Sequence, residues 1–276
     1  GVVIGAAIVG AILVSALQLP MFAALAFGAL ISATDPVAVI AFFRRLGVSR
    51  RLAVLVEGES LFNDGVAIVV FGLAIGGATA AAAGSAEALT LGGAIASFLL
   101  VSLGGLGVGV VLGYVVSEIV LKGIDDHLIE TATTVAVAFG AYVIAERIGV
   151  SGILAVVAAG LLVGNIGLRN TSPTTKLTLS NFWEFLAFMA NSLVFLIIGI
   201  QIHILELVTD ARAIAVAVVA VLLARILVVY SLTWVHQRIE PSRGIPMAYR
   251  HVMFWGGLRG AISLSLALTL TGDVFG

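Results

Sequence analysis

A chain of 276 residues that is 61% hydrophobic and only 11% charged has too little polar surface to solvate a soluble core of its size, so it reads as an integral membrane protein whose first partner is the lipid bilayer. Its net charge of −1 argues against a nucleic-acid partner. The absence of cysteine rules out disulfides and thiolate metal sites.

Apolar stretches run at about 1–17, 21–43, 52–78, 93–121, 128–145, 150–163, 182–201, 213–235 and 247–271, nine candidate membrane helices of which the sixth is short. The first starts without Met and without a basic leader, so it reads as an internal helix, and further helices are expected beyond one or both ends. The second is interrupted at Asp35-Pro36, where proline removes a backbone donor and disfavours a helical residue before it. The third carries Glu57, Glu59, Ser60, Asn63 and Asp64. In the fourth, Gly104, Gly105, Gly107, Gly109 and Gly113 read as packing positions that let helices approach closely. A small-residue loop at 79–92 and a polar connection at 164–181 containing Pro173 separate segments without marking a domain boundary, so residues 1–276 read as a single membrane transport domain. Asn191 in the seventh segment is expected to be a packing or helix-bridging amide. The ninth concentrates helix-weakening residues around a charge, in Gly256-Gly257-Leu258-Arg259-Gly260.

Arg44, Arg45, Arg50, Arg51, Lys122, Arg169, Lys176, Arg238, Arg243 and Arg250 fall in alternate loops, and only Arg147 and Arg212 fall in the others. That bias puts residue 1 on the cytoplasmic side and residue 276 outside. His127, His203, His236 and His251 all sit at expected loop edges and read as interfacial.

A charge at bilayer depth costs about 2.5–3.5 kcal/mol on insertion scales, so acids there mark a cavity or a transport path. Ser60 and Asp64 are four residues apart and share a helix face, with Glu57 further back on it; Glu59 and Asn63 form a neighbouring stripe. Two interrupted segments far apart in sequence point to a midplane ion site of the inverted-repeat type. Hard cations take oxygen ligands, and a broken helix frees carbonyls to act as such, so Asp35, Asp64, the Ser60 hydroxyl and the Thr34 carbonyl form a candidate oxygen cage. A proton and a monovalent cation would compete for its carboxylates. Arg225 and Arg259, also inside apolar segments, each need a buried partner. The same features leave open a gated cation channel. Two membrane aspartates could also make an intramembrane aspartyl protease, although a protease needs neither the Ser-to-Asp spacing nor a broken second helix.

Three motifs, Ser32-Ala-Thr-Asp-Pro-Val-Ala-Val39, Glu59-Ser-Leu-Phe-Asn-Asp-Gly65 and Gly256-Gly-Leu-Arg-Gly-Ala-Ile262, resemble those of the monovalent cation/proton antiporter-1 family, the sodium/proton exchangers. Ala145-Glu146, Gly149 to Val156 and Ala224-Arg225 extend the resemblance over essentially the whole chain. It implies an all-α polytopic fold with two interrupted crossing helices, normally within thirteen membrane helices, so that three would precede residue 1 and one would follow residue 276. It implies that Asp64 is the ion- and proton-binding carboxylate, that Ser60 is a ligand and that Thr34 and Asp35 sit at the unwound crossing. Asn63 stands where electrogenic relatives hold a second acid, which implies electroneutral exchange. Glu59 and Arg225 are expected to form a buried structural ion pair, and Arg259 to matter for function. The expected activity is exchange of sodium or potassium for protons by alternating access, with no cofactor, no covalent chemistry, a homodimeric assembly and a bacterial plasma-membrane location.

Overall fold

The computed structural model describes residues 1–82, 90–124, 126–201, 204–240 and 244–270. Residues 83–89 of the expected 79–92 loop, with His203 and Arg243, lie outside the described residues. In chain order the helices are α1 (Val2–Leu17), α2 (Met21–Leu30), α3 (Val37–Leu46), α4 (Arg50–Ala82), α5 (Leu91–Val115), α6 (His127–Arg147), α7 (Gly152–Asn165), α8 (Pro173–Gln201), α9 (Ile204–Thr209), α10 (Ala211–Ile239), α11 (Met247–Trp255) and α12 (Ala261–Leu268). A π-helical turn at Val116–Val120 and a 3-10 turn at Leu121–Gly123 continue α5, and a second 3-10 turn at Gly167–Asn170 follows α7. No strand occurs among the described residues. Among the described residues, six helices are long and apolar enough to cross a membrane: α4, α5 and α7 with the turns that follow them, α6, α8 and α10. The other apolar stretches are the 16-residue α1 and two that break in the middle, into α2 and α3 and into α11 and α12.

Several expected boundaries move. The 164–181 connection is much shorter, because α8 already begins at Pro173. Proline suits the first helical position, where its missing N–H has no helical partner, and the Ser172 hydroxyl accepts from the Thr175 N–H at 3.2 Å as a cap. The 44–51 loop shrinks to residues 47–49, closed by Gly47 at φ 63°, so its arginines lie on helix ends. The first break starts at Ile31, earlier than the Asp35-Pro36 pair suggests. Of the histidines, His251 sits within α11 and bonds to Tyr230 Oη at 2.6 Å through Nδ1, so it is no loop-edge residue. Asp126 caps α6 by accepting from Ile129 N at 3.1 Å and Leu128 N at 2.9 Å; these N–H groups hold its exposed carboxyl below the usual carboxylate range.

Contacts divide the chain into two compact units, residues 1–88 with 194–276, and residues 89–193. In the first unit α1 and α2 form a hairpin whose backbones nearly touch: a Cβ on Gly28 would lie 2.6 Å from the Ala6 carbonyl oxygen. Their alanines, with Phe71 and Ala74 of α4, make one core cluster, while Val9, Leu13 and Ala24 pack on Ala220 and Ala224 of α10. In the second unit Gly105, Gly109 and Gly113, one on each turn of α5, abut Ser151, Ala155 and Ala159 at and in α7. Lipid tails are as apolar as leucine, so close dispersion contact holds such helices together. Gly104 meets Val150, whereas Gly107 faces open space and is no packing position.

Candidate functional site

The site forms in the first unit, where the non-helical residues between α2 and α3 cross those between α11 and α12. Proline at 36 denies the chain a helical donor, and Asp35 Oδ1 caps the start of α3 by accepting from Val37 N at 2.9 Å. The two broken stretches bond directly: the Asp35 N–H donates to the Leu258 carbonyl at 2.8 Å. Ser263 of α12 donates from Oγ to the Ala33 carbonyl at 3.1 Å. Gly260 makes the crossing possible, because the space of its missing Cβ is filled by the side chain of Asp35. Its φ of −123° is open to any residue, so close approach and not backbone freedom requires glycine there.

Opposite this crossing runs α4, and its polar face converges on Thr34. The buried Ser60 donates from Oγ to the Thr34 carbonyl, Asn63 donates from Nδ2 to Thr34 Oγ1 at 3.2 Å, and the Asp64 carboxylate faces the Thr34 N–H. Asp64 also lies close enough to Asp35 for the two carboxylates to interact electrostatically. One residue thus presents its carbonyl, hydroxyl and N–H to three side chains within five residues of one helix. A cavity of about 10 Å³ beside Thr34 and Ser60 is at the lower limit for a single water-sized occupant. Glu57, expected on the same face, is exposed and takes no part.

Glu59 lies on the adjacent stripe, with its Oε1 3.2 Å from Arg225 Nη1. The same guanidinium donates to the last carbonyls of α11, to Phe254 at 3.1 Å and to Met253 at 2.5 Å. Those carbonyls have no partner within their own helix, and a cation there also opposes the negative end of the helix dipole. Its place against the chain is opened by Gly257, where a Cβ would fall on the guanidinium itself. Arg259 donates to the Gly257 carbonyl at 3.3 Å and, among the described residues, has no carboxylate in salt-bridge contact. It lines a cavity of about 160 Å³ together with Ser32, Glu59, Asn63 and Arg225. The structure therefore gathers Thr34, Asp35, Glu59, Ser60, Asn63, Asp64, Arg225 and Arg259 into one region. Asn191 belongs to the other unit, and among the described residues its side chain makes no hydrogen bond.

Two polar residues escape the sequence reading. Ser263 is 2% exposed, but three further serine or threonine residues in the same apolar stretch gave it no distinction. Glu130 is 1% exposed in the second unit and accepts from Thr175 Oγ1 at 2.5 Å, joining α6 to the first turn of α8. An acid in the first turn of a helix is common as a dipole partner, which hid it. No group of three or more His, Asp or Glu side chains that could hold a metal occurs among the described residues.

A model of the sodium/hydrogen exchanger transmembrane family matches residues 1–275. The Na(+)/H(+) antiporter ApNhaP of Aphanothece halophytica is 42% identical over 257 residues, covering 93% of this chain and 48% of that one. The antiporter NhaH of Halobacillus aidingensis is 38% identical, covering 100% of this chain and 66% of its own. This chain thus spans about half to two thirds of the length of these relatives. The solved structure of the sodium proton antiporter MjNhaP1 from Methanocaldococcus jannaschii superposes with a TM-score of 0.77 at 24% identity, over 97% of this chain and 63% of that one.

Proposed function

The chain belongs to the sodium/hydrogen exchanger family of multi-pass membrane proteins, and from that premise we propose that the protein is a secondary antiporter exchanging sodium or potassium for protons. The observation that carries the reading is the convergence of Ser60, Asn63 and Asp64 on the non-helical Thr34, beside a second carboxylate at Asp35. Oxygen ligands of this kind suit a hard monovalent cation, and a carboxylate among them holds a proton or the cation but not both. Asp64 is then the exchanging carboxylate, Ser60 and the Thr34 carbonyl are ligands, and Asp35 completes the oxygen set. Glu59 and Arg225 hold the α11 end in place, and Arg259 supplies positive charge to the neighbouring cavity. Exposure alternates as the broken segments and α4 move together against a scaffold. With Asn63 in place of a second acid on α4, one charge moves each way. The protein works without a cofactor, as a homodimer in a bacterial plasma membrane.

The test reconstitutes the full-length protein in liposomes that contain a pH dye and adds lithium, sodium or potassium chloride in turn. Sodium or potassium should drive proton movement in proportion to the imposed pH gradient, and Asp64→Asn should abolish it while keeping the detergent melting temperature. Cation flux that ignores the pH gradient identifies a channel. Normal exchange by a folded Asp64→Asn protein overturns the assignment.

A further inference from the structure

We propose that Ser263 is a positioning residue for the cation site, an inference that rests on the reading of Thr34, Ser60 and Asp64 given above. The argument follows two successive peptide planes. In a trans peptide the C=O of one residue and the N–H of the next point in opposite directions from a single rigid plane. No cis bond occurs among the described residues. The plane between Ala33 and Thr34 is held at its oxygen by Ser263 Oγ, 3.1 Å away, and turns its N–H toward the Asp64 carboxylate. The next plane, between Thr34 and Asp35, is gripped at its oxygen by Ser60 and at its N–H by the Leu258 carbonyl, 2.8 Å away. Each plane therefore lies between α4 on one side and the second broken stretch or α12 on the other.

Ser263 is the side-chain member of the second set. A serine inside a helix usually returns its hydroxyl to a carbonyl three or four residues back. Ser265 does so, donating to Ile262 at 3.0 Å, and Thr269 donates to Leu266 at 2.7 Å. Ser263 instead reaches 230 residues back in sequence. Both ends of that bond are buried, Ser263 at 2% and Ala33 at 1% exposure, so no water can replace the hydroxyl if it is removed. Without it the Ala33 carbonyl loses its partner, the plane is free to rotate, and the Thr34 N–H no longer meets Asp64 at a fixed angle. Both the carboxylate and the carbonyl one residue on depend on that plane. Ser263 touches neither of the proposed ligand atoms, so its effect belongs to affinity and not to the number of groups that bind.

The experiment measures exchange against sodium concentration, at fixed pH, for the full-length protein and its Ser263→Ala, Ser263→Cys and Ser265→Ala variants in proteoliposomes. Ser263→Cys keeps the shape but donates weakly, so it separates the hydrogen bond from packing and decides the matter alone if Ser263→Ala fails to fold. Both Ser263 variants should raise the apparent KM by roughly three- to tenfold, the factor expected for one net hydrogen bond. Maximal rate should stay close to that of the parent, and Ser265→Ala should match the parent throughout. Unchanged KM in the folded Ser263 variants, or a fall in maximal rate and melting temperature alone, overturns the inference. If the parent itself moves no protons in response to sodium, it is the antiporter reading that has failed.

Discussion

Glycine at the crossing of the broken segments does opposite work from glycine in the second compact unit. In the second, Gly105, Gly109 and Gly113 bring the α5 backbone against that of α7, and the neighbours they meet are a serine and two alanines. In the first, Gly257 and Gly260 clear space for the guanidinium of Arg225 and the carboxylate side chain of Asp35. One use is apolar and serves packing; the other admits charge to the interior of a membrane protein. Their acids differ in the same way. Glu130 is tied to a threonine hydroxyl between two continuous helices, whereas Asp64 faces a stretch of backbone that has left the helix. On the proposed reading, a membrane-buried carboxylate serves exchange where the surrounding backbone has free groups of its own, and is a staple where its neighbours are helical.

Substituting glycine by alanine in each region tests this contrast. Gly260→Ala places a methyl group on the Asp35 Cβ itself, which no side-chain rotation moves away, and should lower maximal exchange by on the order of a hundredfold, as misplaced reacting groups do. Gly109→Ala drives a methyl into the Ala155 backbone and should cost about 1–3 kcal/mol of stability through overpacking, read as a lower detergent melting temperature, with the sodium KM unchanged. Gly107→Ala, whose Cβ meets nothing, should change neither. Equal transport defects at 109 and 260 would erase the distinction between the two uses.

Next in size is the ion pair. Arg225 is 13% and Glu59 22% exposed by side chain, so neutralising one partner leaves the other poorly solvated and should cost about 3 kcal/mol. Glu59→Gln and Arg225→Gln should each lower the melting temperature, and the double variant should recover part of the combined loss. Arg225→Gln should be the worse single change, because the arginine also holds the two α11 carbonyls. Additive losses in the double variant would show that the two do not couple.

The smallest expected effect is an absence of response. One elementary charge crossing 100 mV is worth about 2.3 kcal/mol, so a one-for-one exchanger with Asn63 on α4 should keep its initial rate when a potassium/valinomycin potential is imposed. A several-fold change would mean that a second group carries a proton, with Asp35 the first suspect.

Residue chemistry alone determined a good deal here. An apolar chain with almost no charge has to be a set of membrane helices, because only helices and closed barrels satisfy their backbones in lipid. Asp35-Pro36 and the Gly256 to Gly260 run marked both breaks, because the local preferences of proline and glycine act within a few residues. Helical spacing put Ser60 and Asp64 on one face for the same reason. Spacing could not pair Glu59 with Arg225, 166 positions apart, and that pairing came as an expectation from resemblance alone. It could not find the Ser263 bond to Ala33, single out Glu130 as buried, or locate the start of α8 at Pro173, where a residue that breaks helices begins one. Only the tertiary structure decided these, because which hydroxyl meets which carbonyl depends on how two broken segments cross, and a crossing is set by the space that glycines leave and not by any local pattern along the chain.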